Sequence, residues 1–284
     1  MTISQYTHKA IGQLAPLYDE SEARWIVRTM VESITGMSRT DMLLHGDREM
    51  EPEIEARYDG IIARLLKHEP IQYILGETYW HGMTLMVSPA VLIPREETSE
   101  LVDIIVKDYG DRQDLSVMDI CTGSGCIAIA LARNLPFASV TGIDISADAL
   151  AVARENASLC KAHVDFEQKD ALAPVADEQD KYDIVVSNPP YIAQHEEKEM
   201  DSNVLDYEPH LALFVPDNDP LKFYSAISRN SMATLKPGGK LYLEINPLFS
   251  DRLASMLTGD GWDNVTVIKD MHGKDRFATA TKPE

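Results

Sequence analysis

Positive charge is what this 284-residue chain has least of: 26 Lys and Arg stand against 46 Asp and Glu, a formal net charge of −20. A protein that tracks a phosphate backbone needs clustered cations to displace counterions. No such cluster occurs, and the most charge-dense stretch, Glu196-Glu197-Lys198-Glu199-Met200-Asp201, is acidic. Direct nucleic-acid binding is therefore not expected unless folding assembles a local basic patch. Long apolar runs are missing too. None approaches the ~20 residues that span a bilayer, and Met1-Thr2-Ile3-Ser4-Gln5 has no basic region followed by an apolar one. A cytoplasmic protein without a membrane partner is expected. Cysteine is scarce. Cys121, Cys126 and Cys160 are odd in number and lack paired ligand spacing, so neither a disulfide framework nor a metal site is suggested.

What is present is ordinary globular composition, 44% hydrophobic and 25% charged, in a chain long enough for two domains at roughly 100–200 residues each. Residues 1–75 read as a helical bundle. One helix covers Glu22 to Ile34, with Trp25, Val27 or Arg28, Val31 and Ile34 near helical spacing and Gly36 as its stop. A second covers Glu51 to His68, with Ile54, Tyr58, Ile61, Ile62, Leu65 and Leu66 on one stripe. Residues 76–93 form a linker in which alternation around Gly82 predicts a hairpin. Residues 94–284 form the second domain. From Thr98 onward helices and strands alternate, the pattern of a doubly wound parallel sheet.

Within that alternation, Ile184 to Val186 is a short β-branched run that stops at Asn188-Pro189-Pro190-Tyr191. Proline cannot follow inside a central strand, so Asn188 falls at a strand's carboxyl end, where open α/β sheets bind ligands. The Asn188 side-chain oxygen and the Pro189 carbonyl offer two acceptors with little torsional freedom, which suits a planar NH2 group, and the Tyr191 ring could stack on it. The same four residues also make a stiff turn after a strand, so their neighbours decide. The strand Leu115 to Ile120 runs into Cys121-Thr122-Gly123-Ser124-Gly125 and then a helix, a turn that brings a ligand close to backbone N–H groups. The full dinucleotide fingerprint is absent. Asp144, 19 residues past Gly125 at the end of Ser139 to Ile143, can accept from both hydroxyls of a ribose, and loop and acid together read as an adenosine site. Asp144 could instead cap the following helix, although Ser146 is better placed for that. The strand Val164 to Lys169 ends at Asp170-Ala171, where an adenine edge would fall. A long polar segment from Tyr191 to Asp219 suggests a lid. The closing strands, Asn264 to Lys269 and Arg276 to Lys282, read as an antiparallel hairpin at the sheet edge. Seven strands ending this way are the plan of a Rossmann-like methyltransferase, here with a small N-terminal helical bundle.

The chain resembles the HemK/PrmC family of protein-(glutamine) N-methyltransferases along nearly its whole length. The resemblance rests on Ser187-Asn188-Pro189-Pro190-Tyr191-Ile192, Asp119 to Gly125, Glu69-Pro70-Ile71-Gln72-Tyr73-Ile74-Leu75-Gly76, Leu92-Ile93-Pro94-Arg95, and Tyr207-Glu208-Pro209 with Ala212-Leu213. The Asn-Pro-Pro-Tyr motif is shared with adenine, cytosine and some guanine amino-methyltransferases, so it alone marks only an NH2 acceptor. The linker motifs point to this family. The chain departs from the family pattern at Glu96, Ser99, Cys121, Ala171 and Phe214-Val215-Pro216-Asp217.

The resemblance implies methyl transfer from S-adenosylmethionine, leaving S-adenosylhomocysteine, to the glutamine amide of the Gly-Gly-Gln motif in class I peptide-chain release factors. Asn188, Pro189 and Tyr191 would be catalytic and, with Pro190, would bind substrate. Cys121, Thr122, Gly123, Ser124, Gly125, Asp144, Asp170, Ala171 and Asn188 would meet the cofactor, no metal would take part, and residues 1–75 would recognise the substrate. A DNA or RNA amino-methyltransferase, a nicotinamide oxidoreductase and a non-catalytic binding protein are the alternatives.

Overall fold

The computed structural model describes residues 1–174 and 179–284. The chain divides into two compact units, residues 1–76 with 201–207, and residues 77–200 with 208–284.

The first unit opens with α1 (Ile3–Leu14), α2 (Glu20–Thr35), α3 (Arg39–His45), α4 (Pro52–Leu65) and α5 (Ile71–Leu75). Asp19 caps α2 by accepting from the Glu22 N–H, and Gly36 ends the helix in the left-handed region at φ 69°. Tyr6, Leu14, Ile26, Val27, Met30, Tyr58, Ile62 and Leu65 form its core. The buried stripe of α2 is Ala23, Ile26, Val27, Met30 and Val31. It is rotated from the stripe read in the sequence, and Trp25 is left 41% exposed.

The second unit begins with the hairpin β1 (Glu77–Trp80) and β2 (Met83–Met86). His81 and Gly82, with φ of 46° and 73°, form the tight turn that such a two-residue loop demands. Then come α6 (Glu96–Tyr109), β3 (Ser116–Ile120), α7 (Cys126–Asn134), β4 (Ser139–Asp144), α8 (Ala147–Cys160), β5 (Val164–Gln168) and β6 (Tyr182–Ser187). The polar segment read as a lid carries short elements of its own. It contains β7 (Ile192–Ala193), a 3-10 turn, α9 (Ser202–Tyr207) within the helical unit, and β8 (Phe214–Val215), which pairs in parallel with β7. In that helical unit the Tyr207 hydroxyl donates to the Lys67 carbonyl at 2.7 Å. The chain closes with α10 (Lys222–Thr234), β9 (Leu235–Glu244), α11 (Ser250–Gly259), β10 (Asp263–Lys269) and β11 (Asp275–Thr281).

The main sheet has seven strands in the order β10-β11-β9-β6-β3-β4-β5. From β9 to β5 neighbours are parallel, while β11 runs antiparallel to both β9 and β10. This is the Rossmann-like plan expected from the sequence. Period-two alternation sends Val117, Ile184 and Val186 to one face, packed with α6 and α7, and Met118, Ile120 and Val185 to the other, with α10 and α11. From β3 the chain winds outward through β4 to β5, then returns to place β6 on the other side of β3. That reversal opens a crevice beyond the carboxyl ends of β3 and β6.

Candidate active site

The loop leaving β3 is shaped by backbone conformation and by one buried acid. Cys121, Gly123 and Gly125 all take positive φ, at 61°, 55° and 80°. Asp119, fully buried, accepts from the Thr122 hydroxyl at 2.6 Å and the Ala128 N–H at 3.2 Å. Burial pushes its carboxyl up to about 7, and those two donors pull it back only partly. Gly125 precedes α7, where a β-carbon would sit 3.1 Å from both Ala153 Cβ and Ile129 Cδ1. At Gly123 the space is open, with no atom within 4 Å of such a carbon. Asn156 on α8 is buried, donates to the carbonyls of Ser124 and Met86, and accepts from the Met86 N–H. That side chain ties the loop to the hairpin.

Asp144, at the end of β4, accepts from the Gly123 N–H and the Ser146 N–H, each at 2.9 Å. Ser146 caps α8, so Asp144 is spared that duty. Two of the roughly four lone-pair positions of a carboxylate are thus used. Asp170 accepts from the Leu172 N–H through Oδ1.

Beyond β6, Asn188 joins a polar chain that sequence reading did not reveal. Its Nδ2 donates to Thr98 Oγ1 at 3.2 Å, and the Thr98 hydroxyl donates to Glu244 Oε2 at 2.7 Å. The Tyr191 hydroxyl donates to Glu244 Oε1 at 3.0 Å. Thr98 and Glu244 are buried. Burial raises the Glu244 carboxyl above its ordinary range, opposed by the Thr98 and Tyr191 hydroxyls and the Arg276 guanidinium. Burial and the same carboxylate hold the Tyr191 hydroxyl protonated. Asn246 donates to the Tyr191 carbonyl and to Glu196, securing the turn from its far side.

A cavity of about 450 Å³ lies over these strand ends, within the size range of small-ligand sites. It brings together Cys121, Thr122, Gly123 and Ser124 with Asp144, Asp170, Ala171, Asn188 and Pro190. Gly125, Pro189 and Tyr191 do not line it: Gly125 serves helix packing, Pro189 is buried, and Tyr191 turns its hydroxyl to Glu244. Thr98, Pro94, Arg95, Phe214 and Phe223 also line it. Arg95 pairs with the buried Glu208, which also accepts from the Ile93 N–H at 3.2 Å. Two separated sequence motifs therefore meet at one wall. Trp80 donates its indole N–H to the Arg95 carbonyl, fixing that wall to the hairpin.

Comparison with known proteins bears on the fold and the family. Residues 98–206 match the family described as methyltransferase small domain, and residues 5–76 match the PrmC N-terminal domain. The release factor glutamine methyltransferase of Bacteroides thetaiotaomicron is 44% identical over 269 residues, 95% of this chain and 96% of that protein. The protein of the same name from Flavobacterium psychrophilum is 41% identical over 98% of both chains. A methyltransferase from Pyrococcus furiosus superposes with a TM-score of 0.52 at 19% identity, covering 78% of this chain and 98% of its own, a likeness of fold. Among the described residues no helix is long and apolar enough to cross a membrane.

Proposed function

The chain belongs to the release factor glutamine methyltransferase family, and from that premise we propose that it moves a methyl group from S-adenosylmethionine to the side-chain amide nitrogen of the Gly-Gly-Gln glutamine in class I release factors. The observation that carries this reading is the Asn188 carboxamide on the cavity wall with its nitrogen engaged by Thr98. The arm of the amide left over is Oδ1, an acceptor suited to an NH2 group.

The cavity fits the cofactor by its donor and acceptor set. Asp144 has acceptor capacity for ribose hydroxyls, Asp170 on the same cavity wall would meet an adenine edge, and open space at Gly123 admits a group against the backbone. Cys121, Thr122, Ser124 and Ala171 complete the cradle, while Gly125 keeps α7 seated beneath it. When bound, S-adenosylmethionine supplies an electrophilic methyl on a sulfonium.

The chain's own residues do the rest. An amide nitrogen is a weak nucleophile because its lone pair is delocalised into the carbonyl. Asn188 Oδ1, on the cavity wall, accepts an N–H of the substrate amide, holds the nitrogen in line with the methyl and stabilises the positive charge that grows on it. The Pro189 carbonyl, the second acceptor expected from the sequence, belongs to a buried residue off the cavity wall. The methylated amide cation is acidic and releases its proton without a dedicated base. Pro190 keeps the turn stiff, and Tyr191, fixed on Glu244, anchors the turn from behind the cavity wall rather than stacking on the amide within it. The helical unit, which matches the PrmC N-terminal domain, is proposed to recognise the release factor.

Labelled methyl transfer from S-adenosylmethionine to a purified class I release factor tests this, run beside a factor whose motif glutamine is alanine and beside bulk DNA and RNA. Label on the wild-type factor alone is expected. Label on nucleic acid, or on the alanine factor equally, would overturn the substrate assignment.

A further inference from the structure

Building on that reading, we propose that Thr98 and Glu244 are positioning residues that fix which arm of the Asn188 carboxamide faces the substrate, and so select a side chain that presents N–H donors. The argument is one of hydrogen-bond inventory. A carboxylate only accepts, and a threonine hydroxyl has a single hydrogen. Thr98 lies 2.7 Å from Glu244 Oε2, so that hydrogen is committed to the carboxylate. Toward Asn188 the hydroxyl can then only accept. It takes the Nδ2 hydrogen at 3.2 Å and would repel Oδ1, so the carboxamide cannot turn over without losing the bond.

The second oxygen of Glu244 is held as well, by the Tyr191 hydroxyl at 3.0 Å. The carboxylate therefore fastens both ends of the Asn-Pro-Pro-Tyr turn, at Asn188 through Thr98 and at Tyr191 directly. Its placement follows from the sheet: Leu243 pairs with Ser187 across β9 and β6, which sets Glu244 beside Asn188. Thr98 comes from the first turn of α6, and the three side chains converge although 146 residues separate Thr98 from Glu244.

Polarisation runs the same way as orientation. A negative carboxylate draws on the Thr98 hydroxyl, which draws on the Asn188 N–H, and each donation strengthens the next in a low-dielectric site. The far end of the chain, Oδ1, becomes a better acceptor where charge develops on the substrate nitrogen. A glutamine amide satisfies that acceptor, whereas a side chain offering only oxygens, such as glutamate, would set acceptor against acceptor.

Thr98→Val, which keeps shape and removes the hydroxyl, is compared with Thr98→Ala and Thr98→Ser in single-turnover methyl transfer to a release factor, with S-adenosylmethionine affinity measured by calorimetry. The expected result is a fall in rate of about tenfold or more for Val and Ala, the scale of one misplaced hydrogen bond at the reacting group. Cofactor affinity should stay within about threefold of wild type, and Ser should restore the rate. Val or Ala variants as fast as wild type, or a Ser variant as slow as Val, would overturn the proposal. If the wild-type enzyme itself fails to label the factor, the substrate reading fails instead, so the two failures are distinct.

Discussion

The Gly123 N–H donates to Asp144 Oδ2 across 2.9 Å, so the turn after β3 and the acid at the end of β4 are parts of one structure. The loop proposed to approach the cofactor is held in shape by the carboxylate proposed to bind the ribose.

Asp144→Ala should therefore weaken S-adenosylmethionine binding about 10²-fold. It removes two hydrogen bonds to a charged acceptor, each worth roughly 1.5–3 kcal/mol before compensation by water, and it releases the loop. Isothermal titration of the purified variant measures this, and an affinity within threefold of wild type would remove Asp144 from the site.

Two glycines of one loop should respond in different ways. At Gly125 an alanine meets Ala153 and Ile129 at 3.1 Å in a left-handed backbone with φ 80°, so Gly125→Ala should cost about 1–3 kcal/mol of fold stability. At Gly123, also left-handed at φ 55°, an alanine carries about 1–2 kcal/mol of backbone strain, but its methyl enters open space and meets no neighbour. Gly123→Ala should lower cofactor affinity more than it lowers the melting temperature. Thermal melts and titrations on both variants check the pair, and a reversed pattern would contradict the division of roles.

Asp119 should leave a signature in the pH dependence of stability. Burial pushes its carboxyl up to about 7, while an unfolded Asp titrates near ~3.9. Between those values the folded state binds more protons than the unfolded state, so this group makes stability fall as pH rises through that window. Asp119→Asn abolishes the titration. The variant should gain on wild type in melting temperature between pH 5 and pH 8, and equal slopes for the two proteins would refute the assignment.

Much of this site was legible because its signals are local. The β-branched run Ile184 to Val186, halted by two prolines, put Asn188 at a strand end, and the spacing of Gly125 and Asp144 paired the β3 loop with the acid that the structure joins to it. Thr98 and Glu244 were not legible. A threonine in a helix's first turn reads as an ordinary helix-start residue, and only the sheet register brings Glu244 beside Asn188. One signal was available: Glu244 ends the apolar run Leu241-Tyr242-Leu243, and a charge at the end of a buried strand calls for a partner. The strands β7 and β8 inside the segment after Tyr191 were not legible, because two-residue strands carry no periodicity. The stripe on α2 was misread because Trp25 fits the apolar spacing, yet the inward face turns on the smaller Ala23.

The most direct test of the account is single-turnover methyl transfer to a release factor by Asn188→Ala, with cofactor affinity measured on the same preparation. Loss of one preorganised contact to the developing charge predicts a rate about 10²-fold or more below wild type, with S-adenosylmethionine still bound. A rate near that of wild type would contradict the claim that the Asn188 carboxamide holds the reacting nitrogen.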